Sequence, residues 1–279
     1  MYRCRMCGTK KGWIKGGLPV GLLVMLMLMT SGSRVCAAEQ ISVSESSVLA
    51  EKRVQKLVNG WKTVNGKTYY YLNGKKVKGW KNIKGKVYHF TKTGELQKNM
   101  ILYNSGKRCY QYVDSTGVRV TNPVITAAVN FVVNHSSSQQ TRFQRLNACF
   151  QALCAYPYQR FYGDEPSARK ISSYASYMFT NRQGNCYRYA AAMAYIARVL
   201  GYDSRVAIGG VTSRTYGPLS PHGWCEIKIG KRWMVYDCSM QSAWNGVKLH
   251  NVKRSEYPFR LRCDAVYLMN SQNGKISWK

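Results

Sequence analysis

The stretch "RQGNCYRYAAAMAYIARVLGYDSRV", residues 182–206, decides the fold. Gln183, Gly184 and Asn185 are turn and capping residue types. Behind them Ala190, Met193, Ala194, Ala197 and Leu200 recur at helical spacing and form the apolar side of a predicted helix; "YDSRVAIGGV" then reads as a turn and a strand. Cys186 falls in the first helical turn, where the partial positive charge of the helix end stabilises a thiolate. Such a cysteine is a nucleophile, a disulfide partner or core filling. The choice depends on whether a base, and a group that orients the base, reach it.

Downstream, "PHGWCEIKIGKRWMVYDCS" (221–239) supplies both. Gly230-Lys231 between two alternating segments predicts a tight hairpin. A two-residue loop pairs Ile229 with Arg232; counting back sets Trp224 opposite Asp237 and puts His222 on the same face, diagonal to Asp237 and within side-chain reach. A slip of one residue would undo this placement. A histidine that takes the thiol proton, with a carboxylate that fixes its tautomer, completes the set Cys186, His222 and Asp237. The other face of the hairpin carries Cys225 and Cys238, a diagonal pair open to a disulfide or to packing.

Together "GNCYRYAAAMAYIARVLGYDSRV", "HGWCEI" and "RWMVYDCS" resemble the transglutaminase-like superfamily, whose texture is Gly-x-Cys at a helix start, an R-V strand, His-x-Trp, and a Trp-x-x-x-Asp strand. The resemblance covers about half the chain. It implies an α+β fold with a papain-like transglutaminase core, in which the helix carrying Cys186 packs on an antiparallel sheet. It also implies Cys186 as nucleophile, His222 as base, Asp237 as orienter and Trp224 as a supporting residue. The sequence departs in having Gly223 where alanine is common and Cys238 where proline is common. In the implied reaction the thiolate attacks a carboxamide, ammonia or an amine leaves, and the thioester passes to water or to a lysine amine. The Cys186 backbone N–H is one oxyanion donor. For the second, Tyr156, Tyr158 and Gln159 in "YPYQRFYGD" are candidates, read first as packing or loop residues. No cofactor is implied. No metal is expected either, since beyond residue 38 there is neither a Cys-x-x-Cys nor a His-x-x-x-His pair.

Upstream of the cysteine helix, "NPVITAAVNFVVNH" and "QTRFQRLNACFQALCAY" have helical texture, with Phe143, Leu146, Phe150, Leu153 and Cys154 at three- and four-residue steps. Cys149 and Cys154 read most simply as core. Further upstream the sequence repeats itself: "GWKTVNGKTYYYLNGKKVK" (60–78), then "GWKNIKGKVYHFTKTGELQ" (79–97), then a degraded copy in which Gly106, Tyr110, Tyr112 and Gly117 keep the spacing and the tryptophan is lost. Asn65-Gly66 is a hairpin signal, so each unit predicts a β-hairpin and about three of them a small solenoid. The Gly-Trp start, the aromatic clusters and the glycines resemble the choline-binding and cell-wall-binding repeats of Gram-positive surface proteins. That resemblance implies aromatic cages for choline on teichoic acid, with Trp61, Tyr70, Trp80 and Tyr88 as the matching positions. Residues 59–121 hold 13 Lys and Arg against 2 acids, a balance that repels a cationic head group. Attachment to anionic wall polymer or glycan is therefore the favoured expectation, beside rings that serve only as solenoid core.

The chain of 279 residues begins with basic residues, an apolar run "LPVGLLVMLMLM" and "TSGSRVCAA", the pattern of a secretory signal cleaved after Ala38. The run is short for a bilayer, so no anchor is expected in the mature chain. Residues 1–38 hold six of the 42 Lys and Arg and none of the 12 Asp and Glu, so their removal lowers the formal charge from +30 to +24. For an exported protein such charge favours wall polymers, acidic glycans or anionic lipid over nucleic acid. Seven cysteines remain after cleavage, an odd number that leaves at least one thiol unpaired in a monomer.

The expected layout is a signal over 1–38, a linker over 39–58, wall-binding-type repeats over 59–121 and a transglutaminase-like domain over 123–279. The expected function is that of a secreted, wall-associated cysteine enzyme acting on amide bonds of a peptide or protein substrate. The competing readings are a catalytically idle surface scaffold and a peptidoglycan peptidase.

Overall fold

The computed structural model describes residues 58–214 and 216–279. The signal-peptide reading of 1–38, and the linker apart from Val58, lie outside the described residues. Three hairpins open the described chain: β1 (Gly60–Val64) with β2 (Lys67–Leu72), extended by β3 (Lys75–Lys76); β4 (Gly79–Ile83) with β5 (Lys86–Phe90); and β6 (Met100–Asn104) with β7 (Cys109–Val113). Asn65 and Gly66 have φ of 49° and 75°, as a two-residue turn with both central residues left-handed requires. Backbone bonds tie each copy to the one before. Leu96 N–H donates to Thr68 at 2.8 Å and Arg119 N–H donates to Val87 at 2.8 Å; Thr68 and Val87 hold equivalent places in successive copies. The result is the expected small solenoid of hairpins.

The rest is helix and sheet. Helices α1 (Pro123–His135), α2 (Arg142–Cys154), α3 (Ile171–Asn181) and α4 (Cys186–Val199) precede β8 (Ser204–Thr212), β9 (Ser220–Ile229), β10 (Arg232–Tyr236), α5 (Cys238–Ala243), β11 (His250–Val252), β12 (Arg260–Gln272) and β13 (Lys275–Trp278). Six strands form one antiparallel sheet in the order β11-β10-β9-β8-β12-β13. Local signals start the helices. Asn122 accepts from the N–H groups of Val124 and Ile125, and Thr141 and Gln144 close a capping box.

Helix α4 is the centre of the fold. Every one of its residues is buried, not only the predicted apolar side. It packs on β8 and β9 of the sheet and against α1, α2, α3 and α5. Its alanines bring neighbouring backbones close, so all-round burial costs little side-chain entropy. The sheet is covered on its other side too, by a smaller core of Ala207, Val211, Trp224, Val235, Leu249 and Tyr257. Two side chains depart from the expected helical stripe. Phe143, in the first turn of α2, is exposed, and Cys154 is half-buried while Cys149 is core. The main core also takes in Tyr112 and Val120 from the third repeat copy. No helix among the described residues is long and apolar enough to cross a membrane.

Candidate active site

Asn185 caps α4 by accepting from the Arg188 N–H, which sets Cys186 as the first helical residue. The thiol is buried at 6% exposure and borders a cleft of about 570 Å³ that His222, Tyr156, Tyr158, Arg160, Ser239 and Met240 also line. The β9–β10 hairpin has the register read from the sequence, with Ile229 opposite Arg232 and Cys225 opposite Tyr236. One step beyond the last pair, Asp237 leaves the strand and caps α5 by accepting from Met240 N–H at 3.1 Å. The structure thus brings Cys186, His222 and Asp237 together: His222 Nε2 lies 2.7 Å from Asp237 Oδ2, and Cys186 and His222 line one cleft.

Burial disfavours a charged His222 ring, but the Asp237 carboxylate and then the Cys186 thiol outweigh it, and the His222 pKa rises to about 10. Burial likewise pushes the Asp237 carboxyl up; the charge and hydrogen bond of His222, with donation from Tyr257 and Met240, outweigh it and hold the carboxyl below its ordinary value. Tyr257 O–H donates to Asp237 Oδ2 at 2.7 Å and Ser239 O–H donates to Oδ1 at 3.2 Å. Sequence reasoning missed both. Ser239 lies two residues past Asp237, in the helix cap. Tyr257 lies 20 residues away, beyond α5 and β11, and carries no sequence signal.

Trp224 is buried, its ring stacked beside His222 at 6.1 Å and 19°. Its N–H donates to Glu226 Oε1 at 2.9 Å, and Glu226 is itself clamped by Arg205 at 2.6 Å and Arg254 at 2.6 Å. Those partners overcome burial and lower the Glu226 pKa. Glu226 had a readable signal, because an acid two residues after Trp224 on a buried strand face needs a cation. Gly223 is explained by Tyr187: a Cβ there would stand 2.6 Å from the Tyr187 ring.

Of the three oxyanion candidates, the structure separates one. Tyr158 pairs with Gly184, two residues before Cys186, and lines the cleft. The Gln159 side chain instead accepts from Tyr177 O–H at 3.0 Å. The Tyr156 carbonyl accepts from Tyr189 O–H, while its ring lines the cleft wall. Cys225 and Cys238 do not share a strand face as expected. Cys238 opens α5, where the chain turns to let Asp237 cap that helix, and its thiol adjoins Cys154. All seven described cysteines are thiols. Among the described residues no three His, Cys, Asp or Glu side chains group as a metal site.

In the repeats, Trp61 meets Tyr70 at 5.0 Å and Tyr88 of the next copy at 4.9 Å, both edge-to-face. Trp80 stands apart from this group and pairs with His89 at 4.8 Å.

The family model of the transglutaminase-like superfamily matches residues 129–238. A comparison with curated proteins returns no match. Among solved structures, the choline-binding domain of a Streptococcus pneumoniae protein is similar over 23% of this chain and 97% of that one, at 29% identity and TM-score 0.21. A structure described as a candidate cysteine protease from Cytophaga hutchinsonii is similar over 57% of this chain and 60% of that one, at 13% identity and TM-score 0.34.

Proposed function

We propose that this chain, whose residues 129–238 form a transglutaminase-like domain, is a secreted, wall-associated cysteine enzyme that acts on amide bonds of peptides or proteins through a thioester. The observation that carries the reading is the placement of Cys186 and His222 on one cleft, with His222 Nε2 held 2.7 Å from the buried Asp237 carboxylate. In the proposed reaction the His222 ring holds the proton of the Cys186–His222 pair, as its raised pKa requires, and the sulfur attacks a carboxamide carbon. The carbonyl oxygen takes up charge facing the Cys186 N–H and the Tyr158 hydroxyl. The C–N bond then breaks, His222 returns the proton to the leaving ammonia or amine, and a thioester remains. Water or a lysine amine attacks that thioester and frees the thiol. Asp237 holds the ring in orientation throughout, and Trp224 with Glu226 supports the ring from the side.

Attachment to the wall is assigned to the hairpins. The open group of Trp61, Tyr70 and Tyr88 stands amid a lysine-rich surface, which suits anionic polymer or glycan better than a choline head group.

The deciding experiment follows ammonia released from a glutamine peptide, with and without an amine acceptor. Turnover that disappears in Cys186→Ala is expected; incorporation of the amine identifies acyl transfer, and its absence hydrolysis. Cleavage that liberates a new peptide α-amine and no ammonia would identify a peptidase. Equal turnover by wild type and Cys186→Ala would refute the assignment.

A further inference from the structure

Cys154 closes α2 and Cys238 opens α5, and these two helices pack against each other. Cys154 packs against the buried core that holds Cys238, and burial, then Cys154, pushes the Cys238 thiol well above its ordinary pKa. The two differ in access: Cys154 is half-buried and lines the cleft, whereas Cys238 is 2% exposed. A reagent in the cleft therefore reaches Cys154 directly and Cys238 only through it. The other described cysteines have different settings. Cys109 is exposed on a repeat hairpin, Cys149 is core, and Cys263 is half-buried on β12. Cys225 is fully buried on β9.

We infer that Cys154 and Cys238 form a dithiol modification site that takes a small organic disulfide and closes into a bond joining α2 to α5. The Cys154 thiolate attacks one sulfur of the reagent, forming a mixed disulfide and expelling one thiolate, which picks up the proton that Cys154 gave up. The Cys238 thiolate then attacks the Cys154 sulfur and expels the second thiol. Overall two protein thiols lose two hydrogens and two electrons, and one disulfide reagent becomes two thiols. The bond would close a long loop and pin the segment that carries Asp237, the residue before Cys238. Closing such a loop restricts the unfolded chain more than the folded one. The site does not depend on any role for Cys186.

The test uses the full chain, incubated with oxidised glutathione, then alkylated and mapped by mass spectrometry. A crosslinked pair of peptides containing Cys154 and Cys238, two hydrogens lighter than the reduced pair, is expected. A Tm higher by on the order of 5–10 °C should accompany it, and reductant should reverse both. The crosslink should persist in Cys186→Ala and vanish in Cys238→Ser. Glutathione retained on Cys154 with Cys238 still alkylated, a bond between Cys154 and Cys186, or no reaction at Cys154 would overturn the assignment. A crosslink with unchanged Tm would overturn the stabilising effect.

Discussion

His222 and Asp237 couple protonation to folding from opposite sides. Asp237 is held below its ordinary value, so it adds stability above about pH 4 that is lost as acid titrates the carboxyl. His222 is raised from 6.5 to about 10, so it adds stability in full below pH 6.5 and loses it as pH climbs toward about 10. The pair therefore stabilises most between about pH 4 and 6.5. His222→Gln should flatten the alkaline fall in Tm expected of the wild type between about pH 7 and 10; an unchanged slope would refute the coupling. Tyr158 belongs to the same scale. If its hydroxyl donates to the developing oxyanion, Tyr158→Phe should lower kcat on the order of 10²-fold, with KM and iodoacetamide labelling of Cys186 nearly unchanged. A faster variant would mean that Tyr158 plugs the site instead.

At the scale of elements, the hairpin parity around Gly230 was legible because a two-residue loop leaves one register, and that register put His222 and Asp237 within reach. The segment before α3 was not legible. Asp164 accepts from Arg188 at 2.5 Å, from Tyr174 at 2.6 Å and from Asn185 at 3.2 Å, and these partners lower its pKa against the effect of burial. Arg188 also lies over the Phe161 ring at 3.5 Å. This anchor fastens the strap that supplies Tyr156, Tyr158 and Arg160 to the cleft wall. Asp164→Asn should cost about 1–3 kcal/mol of stability and raise KM more than it lowers kcat, since the strap loosens while the Cys186–His222–Asp237 contacts stay. Urea unfolding and steady-state kinetics measure the two effects; a loss confined to kcat would refute the strap's role. The Arg188–Asp164 pairing joins residues 24 apart across α3 and the turns that flank it, a reach no local periodicity sets.

At the scale of the whole molecule, the hairpins are not a detachable handle throughout. Tyr112 and Val120 lie in the same core as α4. Asp114 is buried and accepts from the Gly274 N–H at 2.7 Å, which ties the third hairpin to the β12–β13 turn. Removing residues 59–97 should abolish wall pull-down and leave turnover on a small substrate within a few-fold. Removing 59–121 should leave no cooperative unfolding transition, since loss of one large core side chain alone costs about 3–5 kcal/mol out of a typical 5–15 kcal/mol. Folding of the longer deletion, or wall binding by the shorter one, would contradict this division. What the sequence by itself determined is whatever depends on near neighbours: the helix start at Cys186, the β9–β10 register, the repeat period and the α+β architecture. What only tertiary structure decided is the company of those residues: Tyr257 on Asp237, Tyr158 beside Gly184, Cys154 beside Cys238, and Tyr112 in the core. Periodicity and turn chemistry act over a few residues, whereas these contacts join residues far apart in the chain, across whole helices and strands, whose placement is fixed only when the common core packs.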